Sequence, residues 1–436
     1  YGDHRDLHLS LRRQRQMCIR DSNNTALGYA ALTENTTGTN NTAVGYNALD
    51  ANTTTSSNTA IGYNALSANT AGENTAVGVS ALEDNTTGTR NVAMGVDALQ
   101  ECTTGDDNTA FGYNALENPT TASDNTAVGS YALTANTTGE RNTGVGKGVL
   151  QSTTTGSQNT AIGMNALYTN TTGSHNTAVG ENALSLSTTA DNNTAVGDEA
   201  LEANTTGASN TAVGRQALEA NTTGSNNTAV GYQALDVATT ASNNTAVGYV
   251  AGSATTTGAN NVFVGGAAGL KNTTGNENAI VGRDAFYENT TGAYNTAIGY
   301  QSLTANTTAD YNTALGYYAL RANTTGTQNT AVSRAMQLNT TGSYNTSIGM
   351  YSTEQNTTGS YNSALGRSAL NQNTTGSQNT AIGHQALYAN TTANDNTAVG
   401  QRALYANTTG QFNCLLYTSD AADEGLGVDL GGRRII

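Results

Sequence analysis

A seventeen-residue phrase, NTAVGRQALEANTTGSN at Asn210 to Asn226, recurs head to tail from Asn24 to Phe412 and leaves this chain few ways to fold. There are 23 copies, and only those beginning at Asn58 and Asn329 are one residue short. Self-similarity at a fixed period points to stacked structural units, each contacting its neighbours. Comparing the copies shows which columns are constrained. Column one is always Asn, column thirteen always Thr, and column five is Gly in 22 copies, with Ser333 the exception. Column four is Val, Ile, Leu, Met or Phe; columns three and eight are nearly always Ala, and column nine is mostly Leu. Columns six, seven, ten, sixteen and seventeen vary freely among polar residues and Tyr. Constrained columns should pack and free columns should face water.

Seventeen residues suit one turn of a solenoid. Thr-Ala-Val-Gly is short and partly β-branched, Ala-Leu is a second short apolar segment, and Asn-Thr-Thr-Gly-Ser is turn chemistry. The expected fold is all-β: a parallel β-solenoid of 23 coils, about 17 residues each, with two short strands and two bends per coil. One coil cannot fold alone. Burying its Val and Leu gives on the order of 3–6 kcal/mol, whereas ordering each residue costs roughly 1.5 kcal/mol. Stacking at about 4.8 Å supplies the missing backbone bonds and extends 23 coils over roughly 110 Å.

Identical residues then form ladders. The expected ladder residues are Asn210, Gly214 and Thr222, continued one coil later by Asn227, Gly231 and Thr239. The Asn column should repeat an amide bond at a bend, and the Thr column should pack methyl on methyl. Val213 and Leu218 join the ladder residues as builders, while Arg215, Gln216, Glu219 and Ser225 should face out. Column five should need Gly for a positive φ or a close backbone approach. Column fifteen should not, because Ala122, Ala190, Ala241, Ala309, Ala393 and Thr55 stand there. Columns three and four point to opposite faces of a strand, yet both are apolar. One face should fill the coil and the other should meet a second chain, giving a homotrimer or a self-associating fibre.

Segments such as NTAIGYNALSANTAGENTAVG, Asn58 to Gly78, resemble the head repeats of YadA-like trimeric autotransporter adhesins. They are also similar to parts of phage tail fibres. The resemblance covers Asn24 to Phe412 and implies a left-handed β-roll in a trimer, at an extracellular, cell-surface or virion location. These copies are longer than the usual head repeat by the Asn-Thr-Thr insertion, and no stalk, anchor or chaperone segment accompanies them.

The flanks share neither the period nor the composition of the repeat. Arg12 to Asp21 back-translates in frame onto what looks like a transposon-type sequencing-library adapter, and Tyr1 to His8 onto its outer part. Cys414 to Glu424 fits the reverse complement of a similar adapter. Residues 1–22 and 414–436 are therefore expected to be adapter-derived scars around a single repeat array at 23–413, and scars are set aside in fold reasoning.

The net charge is −15, all of it in the repeat because acids and bases balance in the flanks. Such a surface disfavours nucleic acid and anionic membranes as partners. No run of 18 apolar residues is present to span a membrane. Cys18 and Cys414 fall in the flanks, leaving Cys102 where Asn normally stands. Low apolar content and no Trp would suit a disordered chain, but disorder gives no reason to hold three columns in register through 23 copies.

Chemistry is sparse. His175 and His384 neither recur nor have partners in an obvious arrangement, and Asp106, Asp107 and Asp124 carry no calcium-loop pattern. Glu181 with Asp198 and Glu199 could mimic the paired carboxylates of a glycoside hydrolase, but they sit on variable columns. No catalytic, metal or cofactor-binding residue is assigned. Nineteen of the 21 tyrosines lie in the repeats. Tyr46, Tyr63, Tyr113, Tyr232, Tyr249, Tyr300 and Tyr317, all in column six, are the candidate surface-binding residues, because a phenol combines an apolar ring with a polar tip. Sixteen copies contain Asn-Thr-Thr, a formal glycan acceptor, as at Asn204, Asn221 and Asn373; turn chemistry is the favoured reason for it. The expected function is a non-enzymatic extracellular or virion rod that binds a host-surface glycan or extracellular matrix. Alternatives are a structural self-assembling fibre and, through the Thr columns, an ice-binding solenoid.

Overall fold

The computed structural model describes residues 22–416. Segments 1–21 and 417–436, with most of the expected adapter-derived ends and Cys18, lie outside the described residues. The described residues are all-β and contain no helix. They divide into two compact units between Asn210 and Thr211. Unit 1 holds eleven strands, β1 (Thr25–Leu27) to β11 (Thr194–Val196), and unit 2 holds β12 (Thr211–Val213) to β23 (Thr397–Val399) plus the two-residue β24 (Cys414–Leu415). Each repeat makes one solenoid coil. Within each unit consecutive strands pair in parallel and in register, so that Thr42 faces Thr59 in unit 1 and Thr228 faces Thr245 in unit 2. The pairing continues onto Cys414 and Leu415, opposite Thr397 and Ala398.

Each coil contains one strand, not the expected two. Columns two to four are extended, but the Ala-Leu segment is turn. Columns seven, nine and seventeen are left-handed: Asn47, Leu49 and Ser57 have φ of 53°, 54° and 65°. A left-handed Leu is costly, on the order of 1–2 kcal/mol, and interrupts any strand. Bonds to the adjacent coil offset that cost, since Asn47 N donates to Tyr29 O at 3.0 Å and Leu49 N to Ala65 O at 3.0 Å. Every coil thus bonds both to the one before and to the one after.

The core also differs from expectation in one respect. Column three points inward and column four outward, so Val213 does not build the interior. Ala212, Ala217 and Leu218 are fully buried, whereas Val213 is 36% exposed. Ala in column three packs inward beside the column-nine Leu. Two coils carry a bulky residue there instead: Ile280 occupies column three fully buried with Phe286 in column nine of the same coil, and Phe263 is accommodated by small neighbours. Phe263 occupies column three fully buried, and column nine is Gly252 and Gly269 in the two coils it reaches, where a Cβ would meet its ring.

Column five needs Gly for both expected reasons. Gly214 and Gly231 have φ of 134° and 139°, and a Cβ on either would run into the carbonyl of the next Gly in the column. The five column-fifteen alanines, such as Ala241, are buried without a positive φ.

Candidate functional site

Asn and Thr columns form the interior polar scaffold. Asn210 N donates to Asn193 Oδ1 at 2.9 Å, and in unit 2 Asn244 N donates to Asn227 Oδ1 at 3.0 Å. Asn227 Nδ2 closes the bend on Ala241 O at 2.8 Å. These side chains are buried but nearly every polar atom has a partner, which is what makes a buried amide tolerable. The Thr column works through its hydroxyl more than its methyl: Thr222 Oγ1 donates to Thr239 O at 3.0 Å and Thr239 Oγ1 to Thr256 O at 3.3 Å. Those hydroxyls are occupied between coils, which removes the column-thirteen Thr as an ice-facing array.

Column twelve is a second buried Asn ladder. Asn204, Asn221 and Asn373 are fully buried and donate to the carbonyls of Gly207, Gly224 and Gly376 at 3.0, 3.0 and 2.9 Å. Their formal glycan signature is turn chemistry in the folded coil. Cys102 takes this column, buried, with Sγ 3.7 Å from Gly105 O; burial pushes its thiol up to about 11. A buried thiol with so high a pKa is a poor nucleophile.

The acidic candidates sit on adjacent coils, with Asp124 N donating to Asp106 O at 3.0 Å. His175 and His384 are exposed. Asp106 accepts from Thr89 N and Oγ1 at 2.7 and 2.9 Å, while Asp107 is gripped by both Nε and Nη2 of Arg90. Their oxygens are therefore committed to the neighbouring coil. Among the described residues no group of three or more His, Cys, Asp or Glu could hold a metal ion. Glu181 is exposed, with its carbonyl accepting from Glu199 N at 3.0 Å, and these carboxylates lie along the first bend.

The tyrosines are organised. Tyr46 and Tyr63 stack with Tyr29 in a three-ring column, at centroid distances of 5.1 and 5.3 Å and interplanar angles of 13° and 11°. Tyr232 stacks on Tyr249 at 5.5 Å and Tyr300 on Tyr317 at 5.7 Å. Tyr113 instead meets Tyr131 edge-on at 5.3 Å, and that neighbour raises its phenol pKa. Ring spacing follows the coil spacing, so stacking is a consequence of in-register repetition. Exposure stays high: 52% at Tyr63 and 64% at Tyr249.

Two further Tyr rows escape a reading confined to column six. Tyr294 with Tyr311 and Tyr344 with Tyr361 stack in column seventeen at 4.9 and 4.8 Å, and Tyr388 with Tyr405 in column ten at 5.2 Å. Their 17-residue spacing was the available signal. A fourth exposed row is aliphatic: column four includes Ile298, Leu315 and Ile348, 39%, 44% and 36% exposed, with Thr of column two beside it.

Compared with protein-family models the chain matches none, and no curated protein matches it either.

Proposed function

We propose that the chain is a non-enzymatic extracellular or virion surface array that binds other surfaces, in the manner of an adhesin head or a tail-fibre shaft. The observation that carries this reading is the outward display of stacked tyrosines in register on a scaffold whose polar groups are internally bonded. Pre-stacked rings lose little freedom on contact, and a phenol edge offers both apolar surface and a hydroxyl. Repetition multiplies weak contacts into avidity. The partners of this reading are host-surface glycan or extracellular matrix. Replacing Tyr232 and Tyr249 together by Ala should weaken attachment of protein-coated beads to such surfaces while leaving the thermal transition unchanged; undiminished attachment would remove the tyrosines from the role.

A second reading has its own observation. The Thr and aliphatic columns make a regular, half-exposed sheet face, and the occupant whose spacing matches it coil for coil is another copy of this chain. A homotrimer or a self-assembling fibre would bury it. Light scattering of the repeat region distinguishes these: a trimer mass supports the first, a growing mass the second, and a monomer mass at working concentration defeats both.

A further inference from the structure

Several cations on this acidic chain are answered by carboxylates on the same surface. Arg90 is held by Asp107 at 2.7 Å, Lys271 by Glu288 at 2.7 Å, Arg283 by Asp284 at 3.4 Å and Arg334 by Glu354 at 3.9 Å. Arg321 is one of the cations not answered in this way, and it is stacked on a ring. Its guanidinium lies over the Tyr318 ring at 4.7 Å, and among the described residues it has no ion pair and no side-chain hydrogen bond. Stacking engages the flat face of a guanidinium and leaves its in-plane N–H fork free, already oriented.

Arg321 also lines a groove in unit 2. Ala305, Ala322, Leu338, Thr304, Gln337 and Glu288 line it as well. The groove exists because column eleven is small in two successive coils, between Glu288 and Leu338. Its polar groups suit ring hydroxyls. Gln337 uses Oε1 to accept from Arg334 Nε at 2.9 Å, leaving its Nε2 to donate outward. Thr304 donates to Asp284 O at 3.2 Å and can still accept. Aromatic support gathers on the Arg321 side, where Tyr317 packs against Tyr318 at 3.9 Å and Arg334 approaches the Tyr318 ring at 5.9 Å.

We infer that this groove is a binding site for an acidic saccharide, with its carboxylate or sulfate on the Arg321 fork and its sugar ring over Ala305 and Ala322. A bidentate anion contact supplies the orientation; Gln337 and Thr304 read hydroxyls, and Glu288 accepts from a hydroxyl. The net charge of −15 opposes long polyanions such as nucleic acid. A site confined to a few coils favours one short, sparsely charged unit. This inference rests on the surface-binding reading above and names its ligand class.

The test is calorimetric titration of the whole chain with four probes: a hexuronate oligosaccharide, a sulfated hexose oligosaccharide, a neutral hexose oligosaccharide and inorganic sulfate. One or both acidic oligosaccharides should bind, and which of them does identifies carboxylate or sulfate as the anion. Arg321→Gln should weaken that binding about ten-fold or more, the scale of one charge-assisted contact, with an unchanged thermal transition. Arg90→Gln, in unit 1, should leave it intact. Equal binding of the neutral oligosaccharide, inorganic sulfate binding as tightly as the sugars, or an unaffected Arg321→Gln variant would each overturn the site. Bead attachment run in parallel separates the two levels: wild-type beads that attach without any acidic-saccharide binding defeat this site alone, whereas beads that attach to no surface defeat the surface-binding reading as well.

Discussion

Asn244 N donates to the Oδ1 of Asn227 at 3.0 Å, while the Oδ1 of Asn244 in turn accepts from Asn261 N at 2.9 Å and its Nδ2 donates to Gly258 O at 2.9 Å. One side chain therefore connects three successive coils and closes a bend. A backbone N–H at this position has no strand partner to turn to, which explains why column one never varies.

Asn244→Ala should remove the acceptor of Asn261 N and the donor to Gly258 O, leaving two buried backbone groups unpaired. Each such loss costs about 1–3 kcal/mol, so about 3 kcal/mol is expected in total. The damage should concentrate in the adjoining coils, because a solenoid is stabilised by nearest neighbours. Hydrogen exchange should show lost protection around Asn244 and Asn261; uniform loss across unit 2 would contradict nearest-neighbour stability.

Gly231→Ala and Gly224→Ala should separate two glycines that look alike. Gly231 has φ of 139° and its Cβ would collide with the carbonyl of Gly248. Both strain and clash apply, so a cost of at least about 3 kcal/mol is expected. Gly224 has no positive φ; a Cβ there would also meet a carbonyl, that of Ala241, but Ala241 itself stands buried in the same column one coil later, so the replacement should cost less than at Gly231. Thermal melts of the two variants check the contrast, and equal destabilisation would refute it.

Much of this fold was legible because the chain carries 23 internal comparisons. Column one, column five and the permissive column fifteen could be understood from which residues replace one another. What could not be read was direction. Val in column four and Ala in column three are both apolar, and alternation alone does not say which enters the core; the structure turns column three inward. The second strand failed because left-handed Leu is rare elsewhere and only bonds to adjacent coils sustain it here. Column twelve was legible as turn chemistry, and its Asn residues are buried and bonded to the turn carbonyl. The tyrosine rows were legible in column six and overlooked elsewhere. Arg321 gave no signal at all, since its isolation depends on which carboxylates the fold brings near the other cations.

Replacing Ile298, Leu315 and Ile348 by Thr should test the outward aliphatic row. All three are more than a third exposed, and Thr suits a strand, so folding stability should change by about 0.5 kcal/mol or less per site. If copies of the chain pack through this face, the mass measured by light scattering should fall towards the monomer. An assembled mass that persists in the triple variant would place the contact elsewhere.

Mild acid should stabilise this protein, against the usual pattern. Asp50, Asp84, Asp236 and Glu202 are all held above their ordinary values, chiefly because burial desolvates the charged form, with Glu34 adding to Asp50 and Glu83 to Asp84. A carboxyl whose folded pKa exceeds its unfolded one favours folding fully below the unfolded value, 3.8 for Asp and 4.5 for Glu, and loses that contribution as pH rises through the folded value. Asp107 works in the opposite sense, because its bond to Arg90 lowers its pKa; its contribution holds above 3.8 and is lost only as pH falls through the lowered value. Between neutrality and about pH 4.5 the four raised groups dominate. The melting temperature should therefore rise on acidification across that range. Asp236→Asn should raise it at pH 7 and flatten its pH dependence, since a neutral amide bears less desolvation cost. A melting temperature that falls steadily from pH 7 to 4.5 would show that the fold does not raise these carboxyls.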